Sequence, residues 1–236
     1  MVSYLLLSDE LEAKLLSASP GDPVASETEL ARQYRVSRLT ARAALQELER
    51  RHLVRRIQGR GTFVLRRVDY RISTDGPPSF TEIVTAAGGH PKTTVERVRE
   101  RAATAAERRA LALPERARVV ELTRRRWLEG EPVGLGQSVM PVELAPDLAR
   151  HVGSGQSLYK VMVEQYDLQP RRAWFRSEVV VAPEAVARQL DLRNRSDLYH
   201  NQGRLESDRL NRPIEINDGW LRTDLFNVVV EIGDFR

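Results

Sequence analysis

Two short amphipathic helices followed by a glycine-containing hairpin occupy residues 26–65, and this order of elements restricts the fold more than any other feature of the chain. Ser26 and Glu29 have the spacing of a capping box, which predicts that a helix begins there with Leu30 facing inward. Ser37 caps a second predicted helix. The inward-facing residues of that helix are Ala41, Ala44, Leu45 and Leu48. Two helices joined by a tight turn form a helix-turn-helix, whose second helix enters the major groove of DNA.

The segments on either side complete a small domain. Leucines at positions 7, 11 and 15 form one stripe of an amphipathic helix, which ends before the turn at 20–23. After the second helix of the pair, two β-rich runs, 53–57 and 62–65, enclose Gly59-Arg60-Gly61, which predicts a hairpin with an arginine at its tip. A guanidinium group on a thin tip fits the narrow minor groove of DNA, although an ordinary turn with a single arginine is the alternative.

Positive charge is concentrated in the same part of the chain. Residues 35–66 carry nine arginines against two glutamates, a net charge of +7, whereas residues 1–34 carry a net −4 and residues 67–236 a net +1. Such a local excess is typical of a nucleic-acid-binding surface, and the alternative is a solvated arginine-rich helix face. Arg38, Thr40 and Arg42 lie off the apolar stripe in the first turns of the second helix, where side chains reach bases and phosphates.

These residues and their spacings resemble the winged helix-turn-helix of the GntR family of bacterial transcription regulators over about residues 4–65. The resemblance rests on Gly21-Asp22, Ser26-Glu27, Val36-Ser37-Arg38, Ala44-Leu45 and Gly59-Arg60-Gly61-Thr62-Phe63-Val64. It implies that DNA is contacted by Ser37, Arg38, Thr40 and Arg42, with Gly59, Arg60 and Gly61 forming the wing tip. Thr28 stands where the family usually has an arginine, so the family's usual operator sequence does not carry over.

The remainder of the chain is electrically balanced and mixes helical with strand patterns. The turn-rich stretch 73–78 marks a boundary, which predicts a DNA-binding domain over 1–66, a linker over 67–78 and a second domain over 79–236. A helix-plus-hairpin pattern near residues 110–139 recurs about 80 residues later. This weak internal repeat predicts a pseudo-symmetric α+β domain around an antiparallel sheet, with a cleft between its halves.

This second half resembles the effector-binding UTRA domain of the HutC branch of the same family, which has a chorismate-lyase-like fold. The matching motifs are Ser79-Phe80-Thr81-Glu82, Gly130-Glu131-Pro132-Val133, Ser157-Leu158-Tyr159, Arg212-Pro213-Ile214-Glu215 and Arg222-Thr223-Asp224. The resemblance implies a ligand pocket formed by Arg124, Arg126, Ser157, Tyr159 and Glu215, and dimerisation through this domain. Arg124 and Arg126 share one strand face and would grip an anion such as a phosphonate or phosphate ester, although arginines in such a run are also found in solvent.

Several other classes of function lack support in the sequence. The chain has no cysteine, and its four histidines are scattered without metal-ligand spacing, so no metal site, cofactor or catalytic nucleophile is predicted. No apolar run reaches the length of a membrane span, which predicts a cytoplasmic protein. We therefore expect a homodimeric, effector-responsive regulator, most simply a repressor, on a near-palindromic double-stranded DNA operator. The alternatives are an architectural DNA binder without an effector and an enzyme built on the chorismate-lyase-like fold.

Overall fold

The protein is described by a computed structural model that covers residues 3–18, 21–51, 53–57, 59–65, 67–72, 79–153, 155–192 and 196–230. The chain divides into two compact units, Met1–Arg67 and Val68–Arg236. Within the described ranges, no helix combines the length and the apolar character that a membrane crossing requires.

The first unit consists of three helices and a small antiparallel sheet. Its elements are α1 (Tyr4–Leu15), β1 (Pro23–Val24), α2 (Glu27–Gln33), α3 (Arg38–Arg50), β2 (Val54–Ile57) and β3 (Gly61–Val64). The sheet has the order β1-β3-β2, with both pairs antiparallel. The predicted helix, helix-turn-helix and hairpin are therefore confirmed, and the last two strands form the wing.

Leucine and alanine side chains from all three helices fill the core of this unit. The fully buried members are Leu7, Leu30, Ala41, Ala44, Leu45 and Leu48. The predicted capping box is also present, because the Ser26 amide donates to the Glu29 carboxylate at 2.7 Å while the Glu29 amide donates to Ser26 Oγ at 3.3 Å. Caps of this kind satisfy amide groups that the first turn of a helix leaves without partners.

Ion pairs join α1 to the end of α3. Arg51 donates to Asp9 and Glu12 of α1, at 2.7 Å each, and to Glu47 of α3 at 2.8 Å. Hydrogen bonds from Arg50 and Arg51 lower the pKa of Glu47 to about 2. Arg51 therefore links α1 to α3, whereas Arg50 is paired only within α3, and both charges are compensated by carboxylates of the protein.

The second unit contains eight strands and five helices among the described residues. Its elements are β4 (Val68–Ile72), α4 (Phe80–Ala86), β5 (Pro91–Ala102), α5 (Ala105–Leu111), β6 (Arg118–Leu128), β7 (Glu131–Pro141), α6 (Leu148–His151), α7 (Leu158–Tyr166), β8 (Pro170–Val181), α8 (Glu184–Gln189), β9 (Asp197–Ser207), β10 (Arg212–Arg222) and β11 (Phe226–Val230). Six of the strands form one antiparallel sheet in the order β5-β6-β7-β10-β9-β8.

The sheet order confirms the internal repeat. The succession β5-α5-β6-β7 matches β8-α8-β9-β10 in element type and in length to within one residue, and the two copies meet at the central β7–β10 pair. The first residues of β5 and β8, Pro91 and Pro170, are 79 positions apart, as are those of β6 and β9. The two halves are therefore related by an approximate two-fold axis through the middle of the sheet.

Helices cover both faces of the large sheet. Leu158 and Met162 of α7 pack with Leu122 of β6 on one face, in the largest hydrophobic cluster of the unit. On the opposite face, Leu111 of α5 packs with Val119 of β6, and α8 packs against β7 and β9. This layered α+β arrangement confirms the predicted fold class.

Part of the range predicted as a linker, 67–78, is a strand. β4 pairs in parallel with β11, which joins residues near both ends of the second unit. Val68, Tyr70 and Ile72 of β4 are buried in alternation with exposed neighbours. This period of two is the normal sign of a half-buried strand, and the adjacent turn residues concealed it in the sequence. Residues 73–78 lie outside the described ranges.

Candidate nucleic-acid interface and ligand pocket

The start of α3 presents polar side chains on the face opposite its buried stripe. Ser37 is the N-cap, and its Oγ accepts a hydrogen bond from the Thr40 amide at 3.0 Å and lies 2.8 Å from Thr40 Oγ1. Arg38, Leu39 and Arg42 are exposed beyond this cap, and Arg38 forms no ion pair with any described residue. The first turn of α3 therefore offers cationic side chains and a helix N-terminus on one surface, an arrangement that suits phosphate and base contacts.

Glu27 holds Arg42 in place. The Arg42 Nε donates to both carboxylate oxygens of Glu27, at 3.0 and 3.1 Å, and Arg56 of β2 donates to the same carboxylate at 2.8 Å. The hydrogen bond from Arg42, followed by that from Arg56, lowers the pKa of Glu27. Because only the Nε of Arg42 is engaged, its two Nη groups remain available for DNA. No sequence motif pointed to this positioning role of Glu27.

The hairpin tip has the backbone conformation that its glycines permit. Gly59 and Gly61 have φ angles of +76° and +119°, which side-chain-bearing residues rarely adopt. The Arg60 amide donates to the Ile57 carbonyl at 3.0 Å and closes the turn, while the Arg60 side chain is exposed. A Cβ placed on Gly59 would meet no atom within 4 Å, so its backbone is open to close approach by another molecule.

The second unit contains two adjoining cavities that share Arg124, Arg126 and Tyr159. The first, about 290 Å³ including its open mouth, lies at the starts of α4 and α7 and is also lined by Ser157. The second, about 450 Å³ on the same basis, extends over the sheet to Glu215. The five residues predicted to form the ligand pocket thus surround one continuous region, although Ser157 and Glu215 lie at its opposite ends.

The register of the sheet explains why two arginines fit side by side. Arg124 lies opposite Gly136 and Arg126 lies opposite Gly134, so neither guanidinium group meets a side chain across the strand pair. The Arg124 Nη2 donates to Ser138 Oγ at 3.2 Å, and the Arg126 guanidinium lies 5.4 Å from the centre of the Phe80 ring. Withdrawal from water lowers the pKa of Arg124, and the adjacent charge of Arg126 lowers it further. This pair of like charges favours an anion between them.

Several polar groups near the arginines have no hydrogen-bond partner among the described residues. Of eight such buried atoms, six lie on the cavity-facing side of the sheet: Arg124 Nε, Arg172 Nε, Ser177 Oγ, Asn201 Oδ1, Glu215 Oε2 and Asn217 Nδ2. Each unpaired buried group costs about 1–3 kcal/mol. Their concentration in one region is explained if a polar ligand satisfies them. No sequence signal pointed to three of these residues, Arg172, Asn201 and Asn217, because they lie on separate strands and belong to no motif.

Glu215 forms the polar floor of the second cavity and is almost completely buried. Burial raises the pKa of its carboxyl group, an effect opposed by a hydrogen bond from Ser138 and by nearby arginines. A neutral carboxyl group both donates and accepts hydrogen bonds, so it suits a hydroxyl group of a ligand. Within the described part of the chain, no group of three histidine or acidic residues is arranged to hold a metal ion.

The raised pKa of Glu215 predicts a pH-dependent stability. A carboxyl group whose pKa is higher in the folded protein than in the unfolded chain stabilises the fold fully at a pH below its pKa in the unfolded chain. That stabilisation is lost as the pH rises through its pKa in the folded protein. Glu215→Gln is uncharged throughout, so we expect the thermal stability of the native protein relative to this variant to fall between pH 4.5 and 8. Unfolding midpoints measured in steps over this range test the expectation.

Glu121 provides a matched control for that experiment. Its side chain is also buried, which by itself would raise its pKa, but hydrogen bonds from Arg101 and Arg99 outweigh this effect and lower the pKa. Its contribution to stability is therefore present above pH 4.5 and lost only in more acidic solution. The difference in unfolding midpoint between the native protein and Glu121→Gln should therefore stay constant from pH 5.5 to 8. Parallel profiles for Glu215→Gln and Glu121→Gln would contradict the assignment for Glu215.

The first unit has the winged helix-turn-helix architecture of a DNA-binding regulator, the second has a polar cavity, and comparison with known proteins identifies the family. Residues 4–64 match the bacterial regulatory proteins of the gntR family, and residues 86–227, more than half of the chain, match the UTRA domain. The chain therefore belongs to the UTRA-containing GntR regulators of the HutC type. It is a transcription regulator and not an enzyme.

Individual relatives agree with this assignment. The chain is 26% identical over 214 residues to the "Probable fructoselysine utilization operon transcriptional repressor" of Escherichia coli K12, covering 89% of this chain and 86% of the relative. It is 29% identical over 147 residues to the HTH-type transcriptional repressor NagR of Bacillus subtilis, covering 61% and 60%. The crystal structure of PhnF from Mycobacterium smegmatis has the same fold, with a TM-score of 0.70, 24% identity and coverage of 96% of this chain and 98% of that one.

Proposed function

We propose that the protein is a homodimeric repressor that binds a near-palindromic operator and responds to a small anionic effector. The observation that carries the proposal is the convergence of Arg124 and Arg126 on a polar cavity, in a chain that also contains a winged helix-turn-helix. Several relatives are named as repressors, which supports this sign of regulation. Such a regulator works in the bacterial cytoplasm, where its operator is.

The DNA-binding mode follows from the exposed surfaces of the first unit. The first turn of α3 enters the major groove, where Arg38 and Arg42 meet bases and phosphates and Thr40 lies at the edge of the contact. Ser37 serves as the helix cap and leaves its backbone near the phosphates. Arg60, flanked by Gly59 and Gly61, enters the neighbouring minor groove. Two copies of the chain read half-sites whose centres are about 10 base pairs apart.

The effector is an anion that also carries hydroxyl or amino groups. Its anionic group, a phosphonate or phosphate ester, binds between Arg124 and Arg126 near the start of α7, where Ser157 and Tyr159 complete the contact. The rest of the molecule occupies the second cavity, where Glu215 satisfies a polar group. An effector shifts the two DNA-binding heads only if it binds one of their arrangements more tightly than the other.

A thermal-shift screen of the full chain tests the effector class. The panel contains phosphonates, sugar phosphates, inorganic phosphate, amino acids and uncharged sugars. A ligand present at a hundred times its dissociation constant stabilises the folded state by about 2.7 kcal/mol. We expect phosphorylated or phosphonate compounds to give the largest shifts. A larger shift with uncharged compounds would contradict an anionic effector.

Replacement of Arg60 by alanine is expected to weaken operator binding about tenfold or less. Only the minor-groove contact is lost, while the contacts of α3 remain, and the loss should be greatest for operators with A·T-rich sequence at the wing. Fluorescence anisotropy on operators that differ only at the wing position measures this effect. Equal affinities of Arg60→Ala and the native protein on every such operator would remove the wing from the interface.

A further inference from the structure

The two edge strands of the large sheet, β5 and β8, are equivalent in the internal repeat but differ in surface character. No described strand pairs with the outer edge of either one. An open edge presents unpaired backbone groups, and proteins usually protect such edges with charged side chains. β5 has this protection. Its charged residues are Lys92, Glu96, Arg97, Arg99, Glu100 and Arg101.

β8 lacks comparable protection over its second half. Between Trp174 and Val181 it carries only two charges, Arg176 and Glu178. Trp174, Val179 and Val181 remain exposed by 44%, 61% and 43% of their surface. Because the equivalent strand on the other side of the sheet is densely charged, the apolar character of this edge is specific to β8.

We infer that β8 pairs antiparallel with β8 of a second copy of this chain, about a two-fold axis at Ser177. The two six-stranded sheets would then form one sheet of twelve strands. The inference rests on the proposed homodimer and names its interface. A two-fold axis perpendicular to the sheet keeps every residue on the same face, and directly opposed residues in antiparallel strands also share a face. Opposed residues must therefore differ by an even number of positions, so the axis passes through a residue and not between two residues.

In this register, opposite charges face each other across the two strands and apolar side chains face apolar side chains. With the axis at Ser177, Arg176 of each copy lies opposite Glu178 of the other, and these residues also pair within each strand. Trp174 then faces Val180 and Phe175 faces Val179, so apolar residues oppose apolar residues. Cross-strand pairs of opposite charge and of aromatic with β-branched residues each stabilise a sheet by about 0.2–1 kcal/mol.

The neighbouring registers lack this complementarity. Moving the axis to Arg176 places the two Arg176 side chains opposite one another and sets Trp174 against Glu178. Moving it to Glu178 opposes the two carboxylates and sets Arg176 against Val180. Like charges directly across a strand pair are destabilising. The charge pattern of β8 therefore selects a second copy in one register and disfavours the registers on either side.

A single cysteine tests the register directly, because the native chain has none. In the proposed pairing, residue 177 lies opposite itself, with a Cα–Cα distance of about 4.5–5.5 Å, which is within the range for a disulfide. We expect Ser177→Cys in the full chain to form covalent dimers under mild oxidation. Val98→Cys, at the equivalent position of β5, should remain uncrosslinked. Equal crosslinking of the two variants, or none in Ser177→Cys, would overturn the register.

A charge exchange provides the second test. Arg176→Glu should raise the dimer dissociation constant in sedimentation experiments at least tenfold, and the double variant Arg176→Glu with Glu178→Arg should restore it. Arg97→Glu is the matched control on β5 and should have no effect. A dimer that is insensitive to all three changes would overturn the β8 interface while leaving the homodimer intact. A native chain that is monomeric would overturn the homodimer itself.

Discussion

Arg42→Ala is expected to lower operator affinity by about tenfold to a hundredfold, which corresponds to ~1.4–2.8 kcal/mol. Arg42 is exposed on the first turns of α3, and Glu27 engages its Nε, while neither Nη group bonds to a described residue. A guanidinium that is already oriented loses less side-chain entropy on binding than a free one. Anisotropy titrations with operator DNA at several salt concentrations measure the effect.

The control for this variant removes the same charge elsewhere. Arg188 is exposed on α8 in the second unit, so Arg188→Ala lowers the net charge equally without touching α3. We expect Arg188→Ala to keep operator affinity within about twofold, since distant charges are screened at physiological salt. Equal losses in Arg42→Ala and Arg188→Ala would mean that bulk charge, rather than the recognition helix, determines binding.

Arg126→Ala is expected to weaken effector binding about tenfold to a hundredfold while leaving operator affinity unchanged without effector. A hydrogen bond to a charged group contributes roughly 1.5–3 kcal/mol, and Arg126 provides one of the two adjacent guanidinium groups that line both cavities. The measurement is the concentration of the best phosphorylated or phosphonate compound from the screen that half-saturates the thermal shift.

Arg125 is the matched control for Arg126 because it is the adjacent residue on the same strand but faces the other side of the sheet. It donates to Glu96 at 3.1 Å and lines neither cavity. Arg125→Ala should therefore keep the native effector affinity. If Arg126→Ala binds the compound as tightly as Arg125→Ala does, the anion lies elsewhere.

Local sequence signals predicted the first unit well. The capping box at Ser26, the cap at Ser37 and the glycines around Arg60 act over a few residues, so their structural consequences can be predicted directly from the sequence.

The net charge of the basic segment was a less informative signal. Arg50 and Arg51 count toward the basic segment, but both are committed to Glu47, and Arg51 also binds Asp9 forty-two positions away.

The second unit shows what local signals miss. Arg124 and Arg126 were predicted from a resemblance, and the sheet register brings them together with Glu215. Arg172 and Asn201 join the same cavity only because β8 and β9 lie at the far side of the sheet, which no short-range pattern specifies. Strand pairing over such distances depends on the whole sheet, so these residues could not be found from sequence spacing.

The two repeated halves of the sheet carry different side chains at equivalent positions, so they line the pocket with different chemical groups. The positions in β9 that correspond to Arg124 and Arg126 of β6, 79 residues later, are Gly203 and Leu205. One half of the sheet therefore provides the adjacent pair of arginines, and the other half provides Arg172 together with amide and carboxyl groups. This distribution suits a ligand whose anionic group lies at the end of the pocket near Arg124 and Arg126.

Selection of binding sites from random duplex DNA with the full chain tests the central claim most directly. If two winged domains act together as proposed, the enriched sequences will contain two inverted half-sites with centres about 10 base pairs apart. The same selection with Arg42→Ala should enrich little above background. Enrichment of a single half-site without an inverted partner, or no enrichment with the native protein, would contradict the proposed dimeric operator-binding regulator.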